Sequence, residues 1–177
     1  INVRIMDDDN AGWGTPYLLN AGSRDPEIAI GANGEAMAVW VSSSTRLMGS
    51  RWTRDGGWEA PEDVSDTSPD SSPQLHVTVD ESGNAIAGWT RTQPFANRYT
   101  VGSGWGTPHQ LSLEAVLANN FHLAGNAAGE AGAVWFFRDF TNSKAPFNLQ
   151  GIRFDGSSWG EPVVLDEQAV SAGSTEV

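Results

Sequence analysis

The sequence predicts an all-β fold made of repeated four-stranded antiparallel sheets, and three observations carry that expectation. Segments Pro26 to Trp40, Pro73 to Trp89 and Phe121 to Trp135 each end on a tryptophan. Glycine stands six before it (Gly34, Gly83, Gly129), and alanine stands four before (Ala36, Ala85, Ala131) and two before (Ala38, Ala87, Ala133). A second motif places proline three residues after a tryptophan and an aliphatic residue six after; it occurs at Trp13, Trp58, Trp105 and Trp159. No segment holds a helical period beyond a turn or two.

Ile1 to Met6 alternates as a strand does, and Asp7 to Gly12 is rich in turn residues. Gly12 to Leu19 is the first copy of the tryptophan–proline motif. Proline cannot donate a ladder hydrogen bond, so this strand lies at a sheet edge or starts just after its proline. In the hairpin segments, alternation resumes on both sides of a glycine-containing turn: Leu75, Val77 and Val79 precede Asp80 to Asn84, and Ala85 and Ala87 follow. A third strand follows each hairpin, at Leu47 to Trp52, Asn97 to Val101 and Leu149 to Phe154. Asp55-Gly56 and Asp155-Gly156 then suit tight turns, because glycine accepts positive φ without steric cost.

Four strands in a period of about 45 residues describe one blade of a β-propeller. Complete blades fall at 21–66, 67–113 and 114–166, with residues 1–20 as the outer strands of a preceding blade and 167–177 as a tail. A closed ring needs at least about four blades. The chain is therefore a slice of a longer propeller, the preferred reading, or several chains close a ring. The motifs resemble the blade repeats of bacterial propellers, broadly of the TolB and Asp-box types. That resemblance implies that Pro26–Ile30, Pro73–Val79 and Asn120–Leu123 line the channel side and that the tryptophan–proline strands form the outer rim. Ala124-Gly125-Asn126 departs from the pattern, so the third blade is expected to be less regular.

The chain has 177 residues and a formal charge of −12, with 22 acidic against 10 basic residues. Such a surface repels phosphate backbones and anionic membranes, so nucleic acid and membrane insertion are set aside. It suits an extracellular, cell-surface or periplasmic setting. No cysteine is present, which excludes disulfides and thiolate metal sites. The sequence does not open on a methionine or a signal-peptide pattern, and reads as a mature product or an internal piece.

The repeated tryptophans read as inter-blade core, because strict periodicity is what packing requires. Trp52 is less tied to the repeat and is the candidate exposed platform for a sugar; Arg51 and Tyr99 complete the candidate ligand-binding set. Asp7, Asp8 and Asp9 are the candidate metal ligands, for calcium, although their spacing is not that of an EF-hand. Without calcium, no cofactor is expected. Glu27, His76 and His122 share one repeat offset, but blades are expected to fan them apart. No nucleophile elbow or cysteine nucleophile exists. Sialidase-like chemistry would call for a tyrosine nucleophile, and Tyr17 and Tyr99 both sit at repeat positions in strands. The sequence therefore points to a non-catalytic binding module of a bacterial propeller, recognising carbohydrate or protein. The alternatives are a fragment of a sialidase-like or other glycan-active enzyme, and a purely structural repeat that oligomerises.

Overall fold

The computed structural model describes residues 1–6, 12–43, 46–65, 73–112, 116–139 and 147–166. Among the described residues, sixteen short strands form four antiparallel sheets that follow one another along the chain. An N-terminal pair, β1 (Asn2–Val3) and β2 (Tyr17–Leu18), comes first. Sheet 1 runs β3 (Arg24–Ile30), β4 (Ala36–Val41), β5 (Leu47–Thr53), with β6 (Gly57–Trp58) and β7 (Glu62–Ser65) both paired to β5. Sheet 2 repeats this as β8 (His76–Val79), β9 (Ala85–Arg91), β10 (Gln93–Thr100), β11 (Gly104–Trp105) and β12 (His109–Gln110). Sheet 3 comprises β13 (Val116–Gly125), β14 (Ala131–Asp139), β15 (Asn148–Phe154) and β16 (Val163–Asp166).

Proline explains why the fourth strand comes in two pieces. The tryptophan half pairs with the third strand before the proline, and β2, β7, β12 and β16 each begin on the residue after Pro16, Pro61, Pro108 and Pro162. One bond recurs beside each tryptophan: the next residue's N–H (Gly14, Glu59, Gly106, Gly160) donates to Ile5, Arg51, Arg98 and Arg153 respectively, at 2.8–2.9 Å. The hairpin turns also match. Gly34, Gly83 and Gly129 all sit at φ 81–82°, a left-handed conformation that favours glycine.

The third sheet is regular where irregularity was expected. Ala124 and Gly125 pair in register with Gly132 and Ala131. The break lies earlier, between Asn119 and His122, where Asn120 adopts φ 51° in a bulge.

Faces alternate along each second strand, and each face meets a different neighbour. Ala38 and Trp40 pack towards the N-terminal pair with Leu19, Ile1 and Val3. Met37, Val39 and Val41 pack the other way, against Ala85, Ala87 and Trp89 of sheet 2. Ile86 of sheet 2 then meets Ala131, Ala133 and Trp135 of sheet 3. Covered on both sides, Ala36–Val41 is buried at every position. The first strands β3, β8 and β13 of successive sheets lie against one another.

Outer tryptophans lock this stack. A methyl group on Gly49 would lie 2.9 Å from Trp105 Cζ2 and 3.0 Å from Val64 Cγ2, so only glycine lets the indole settle there. Trp159 correspondingly packs against the cluster that holds Ala96 and Leu111, and Trp58 against the one that holds Leu19. Each tryptophan thus sits on the sheet before its own.

A buried indole removes about 150–250 Å² from water, worth roughly 4–6 kcal/mol at about 25 cal/mol per Å². Trp89 is 1% exposed and Trp13 is 62% exposed. Trp89→Ala is expected to destabilise the fold by about 3–5 kcal/mol, and Trp13→Ala by no more than about 0.5 kcal/mol. Urea unfolding of both variants, monitored at low protein concentration, checks the pair; similar losses would contradict this packing.

Candidate functional site

A large depression with a polar lining lies between sheets 1 and 2. Arg51, Glu59, Glu62 and Asp63 line one wall, Tyr99 and Trp105 the other, around a volume of about 670 Å³. Arg51 occupies the end of β5, and the alternation of that strand turns it towards sheet 2. Its Nη2 donates to Glu35 Oε2 at 2.7 Å and its Nη1 to Glu59 Oε1 at 2.9 Å. Tyr99 comes from the matching strand of sheet 2, and its hydroxyl donates to Glu59 Oε2 at 3.3 Å. Trp105 stands edge-on to the Tyr99 ring, with centroids 5.6 Å apart.

Burial alone would lower the Arg51 pKa. The hydrogen bonds it donates to Glu35 and Glu59, with the charges of those carboxylates, together outweigh burial and leave the pKa raised, so the guanidinium stays charged. Its Nε is buried without a hydrogen-bond partner, a costly state for a donor. Burial, then the charge of Glu59, raises the pKa of the Tyr99 phenol, with Arg51 opposing. The phenol is therefore a hydrogen-bond donor at neutral pH and a poor base. Carboxylates outnumber cations here: Arg51 and Arg46 face Glu35, Glu59, Glu62 and Asp63, and Arg46 is held by Asp63 at 3.1 Å.

Sheets 2 and 3 do not repeat this groove. Arg98, at the Arg51 position, donates to the Gly156 carbonyl at 2.9 Å and lies 5.5 Å from the Phe154 ring centroid. Gly106 stands where Glu59 does, and Phe154 where Tyr99 does. The space beside Arg98 shrinks to about 10 Å³.

Among the three candidate ligand residues, Arg51 and Tyr99 meet in one groove. Trp52 follows Arg51 on β5 and points to the opposite face, half-buried, with Trp58 opposite it in register. Trp52, Tyr99 and Phe154 all stand opposite the outer tryptophan of their own sheet, so Trp52 is bound to the repeat after all. Asp7, Asp8 and Asp9 lie outside the described residues. Among the described residues, no group of three or more histidines and acids could hold a metal ion.

Glu27, His76 and His122 are closer than a fan of separate sheets would place them. They line one cavity of about 300 Å³, and the two imidazole centroids are 5.3 Å apart. The bulge at Asn120 takes the Phe121 backbone out of its ladder, and sheet 2 satisfies it. Phe121 N–H donates to Gln74 Oε1 at 2.7 Å, and His76 Nε2 stands 2.8 Å from the Phe121 carbonyl oxygen. These side chains staple adjacent first strands.

Sequence reasoning missed Glu35, Glu59 and the groove face of Trp105. A signal for Glu59 was present: the residue after the tryptophan is glycine at 14, 106 and 160 and glutamate only at 59.

No protein-family model matches the chain, and no curated protein matches it in sequence. Solved structures do match in fold. An ulvan lyase of polysaccharide lyase family PL25, bound to a glucuronate–sulfated rhamnose oligosaccharide, superposes with TM-score 0.59 at 11% identity, over 93% of this chain and 48% of that one. AofleA from Arthrobotrys oligospora gives 0.53 at 12% identity, over 85% and 46%. A mutant Aleuria aurantia lectin in complex with α-methyl-L-fucoside gives 0.50 at 15% identity, over 86% and 48%. The chain spans about half the length of these structures, with 46–48% of each covered.

The phenol supplies a direct check on the geometry. Tyr99 is expected to titrate above the ordinary tyrosine value in an ultraviolet pH titration, and Glu59→Gln to bring its pKa down. With a folded pKa above the unfolded one, the bond stabilises below the unfolded value near 10, and that contribution fades as pH rises through the folded pKa. A Tyr99 pKa left unmoved by Glu59→Gln would contradict the Tyr99–Glu59 contact. Taken with the fold matches, the stacked four-stranded antiparallel sheets are blades of a propeller-type all-β fold.

Proposed function

We propose that this chain is a carbohydrate-binding module and that the groove between sheets 1 and 2 holds a neutral saccharide. One observation carries the reading: Arg51, held charged between Glu35 and Glu59, faces an aromatic wall of Tyr99 and Trp105 across open space. A guanidinium beside carboxylates offers donors and acceptors together, as vicinal hydroxyls require. The indole offers an apolar surface to the C–H face of a pyranose ring. Few convergent polar groups around an aromatic surface are the general form of a small-molecule site. Fold likeness to a fucoside-bound lectin and to an ulvan lyase agrees with a glycan ligand. The setting that goes with it is extracellular, cell-surface or periplasmic.

Charge selects among glycans. The excess of carboxylates repels uronate and sulfate groups, so a polymer such as ulvan does not suit this groove. A lyase reading is also disfavoured here. Removing a proton from a uronate needs a base near neutrality, and the raised pKa of Tyr99 keeps that phenol protonated.

Calorimetric titration with neutral oligosaccharides, α-methyl-L-fucoside among them, and with an ulvan oligosaccharide tests the reading. A neutral ligand is expected to bind, and Arg51→Met to weaken it by about tenfold or more, as lost charge-assisted hydrogen bonds do. Binding that survives Arg51→Met, or a preference for the anionic ligand that grows at low salt, would remove this groove as the site.

A further inference from the structure

Among the described residues, an outer tryptophan stands exposed at one end of the stack and a seat stands uncovered at the other. Trp58, Trp105 and Trp159 each pack against the apolar cluster that holds the fourth-strand aliphatic of the preceding sheet: Leu19, Val64 and Leu111. Those three aliphatics are 7%, 1% and 1% exposed. The fourth, Leu165, is 53% exposed, and Trp13 is 62% exposed. On the open face of sheet 3 the seat is otherwise built. A methyl group on Gly151 would lie 2.7 Å from Leu165 Cδ1 and 3.3 Å from Val134 Cγ1, repeating the arrangement of Gly49 and Val64 beneath Trp105.

We propose that a second copy of this chain docks head to tail on this one, seating its Trp13 on Gly151, Val134 and Leu165. The two surfaces differ, so the contact is heterologous: each copy uses its N-terminal pair against its partner's sheet 3. Both are apolar at the contact. Met6 and Tyr17 accompany Trp13, each 49% exposed, and Val163 accompanies Leu165 at 55%. The chain's own repeat supports a second copy as the occupant: Trp13 and Leu165 are the same outer tryptophan and fourth-strand aliphatic that share an apolar cluster at each sheet boundary within the chain. The docked Trp13 would also stand beside Arg153 and Glu130, which pair as Arg51 and Glu35 do.

Sedimentation velocity over a concentration series tests this with Trp13→Ala and Leu165→Asp. Both side chains are exposed in the single chain, so circular dichroism and the thermal midpoint at low concentration are expected to match wild type. Wild type is expected to associate with concentration, and each variant to do so roughly 30-fold more weakly, as loss of a central interface anchor does. Mixing the variants is expected to restore association as a one-to-one pair, because one still holds the seat and the other the tryptophan. A wild-type chain that stays monomeric at its highest soluble concentration would overturn the proposal, leaving further blades of a longer polypeptide as the cover. Association that neither variant weakens, or that mixing does not restore, would overturn it equally.

Discussion

A sheet with two apolar faces cannot stand alone, and most of this structure follows from that constraint. The second strand of each complete sheet carries the alanine–tryptophan series on one face and a second set of residues on the other, most of them apolar. Burial at about 25 cal/mol per Å² rewards covering both faces, and a near-copy with the same wedge of side chains is the natural cover. The outer tryptophan makes the order directional, since it always reaches back to the sheet before. Where a neighbour exists, the six-after aliphatic is buried. Where none does, the same residue type is left in solvent, as Leu165 is. At the two ends of the described stack, the residue types that are buried at inner boundaries stand exposed.

Much of the fold was legible because packing repeats and leaves a period. The matched glycines announced the turns, and all three adopt the same positive φ. The prolines announced strands that start late, and β7, β12 and β16 begin directly after them. What periodicity could not reveal was side-chain traffic between sheets. The contact of His76 and His122 depends on a bulge at Asn120 and on Gln74 and His76 reaching across to Phe121, none of which has a pattern in one dimension.

The groove was only half legible for a related reason. Arg51 and Tyr99 sit at repeated positions, and their convergence follows from two adjacent sheets presenting matched third strands. Trp52 reads in sequence as less tied to the repeat, yet it occupies the same place as Tyr99 and Phe154. The informative departure was Glu59, where three other copies keep glycine. In a repeat protein a position that breaks the pattern without disturbing the fold is freed from packing. Glu59 shows how: its N–H keeps the bond to the Arg51 carbonyl that glycine makes elsewhere, and only its side chain is new.

That substitution has a consequence for valency. An arginine closes the third strand in every complete sheet, at 51, 98 and 153, so the scaffold offers one potential socket per blade boundary. At 98 the guanidinium is absorbed by the backbone of the next turn and an aromatic ring, and the socket is shut. At 51 two carboxylates hold the largely buried guanidinium at the wall of the groove. If the proposed ligand sits beside Arg51, valency turns on positions such as 35 and 59 that decide how each arginine is held, while the architecture stays constant.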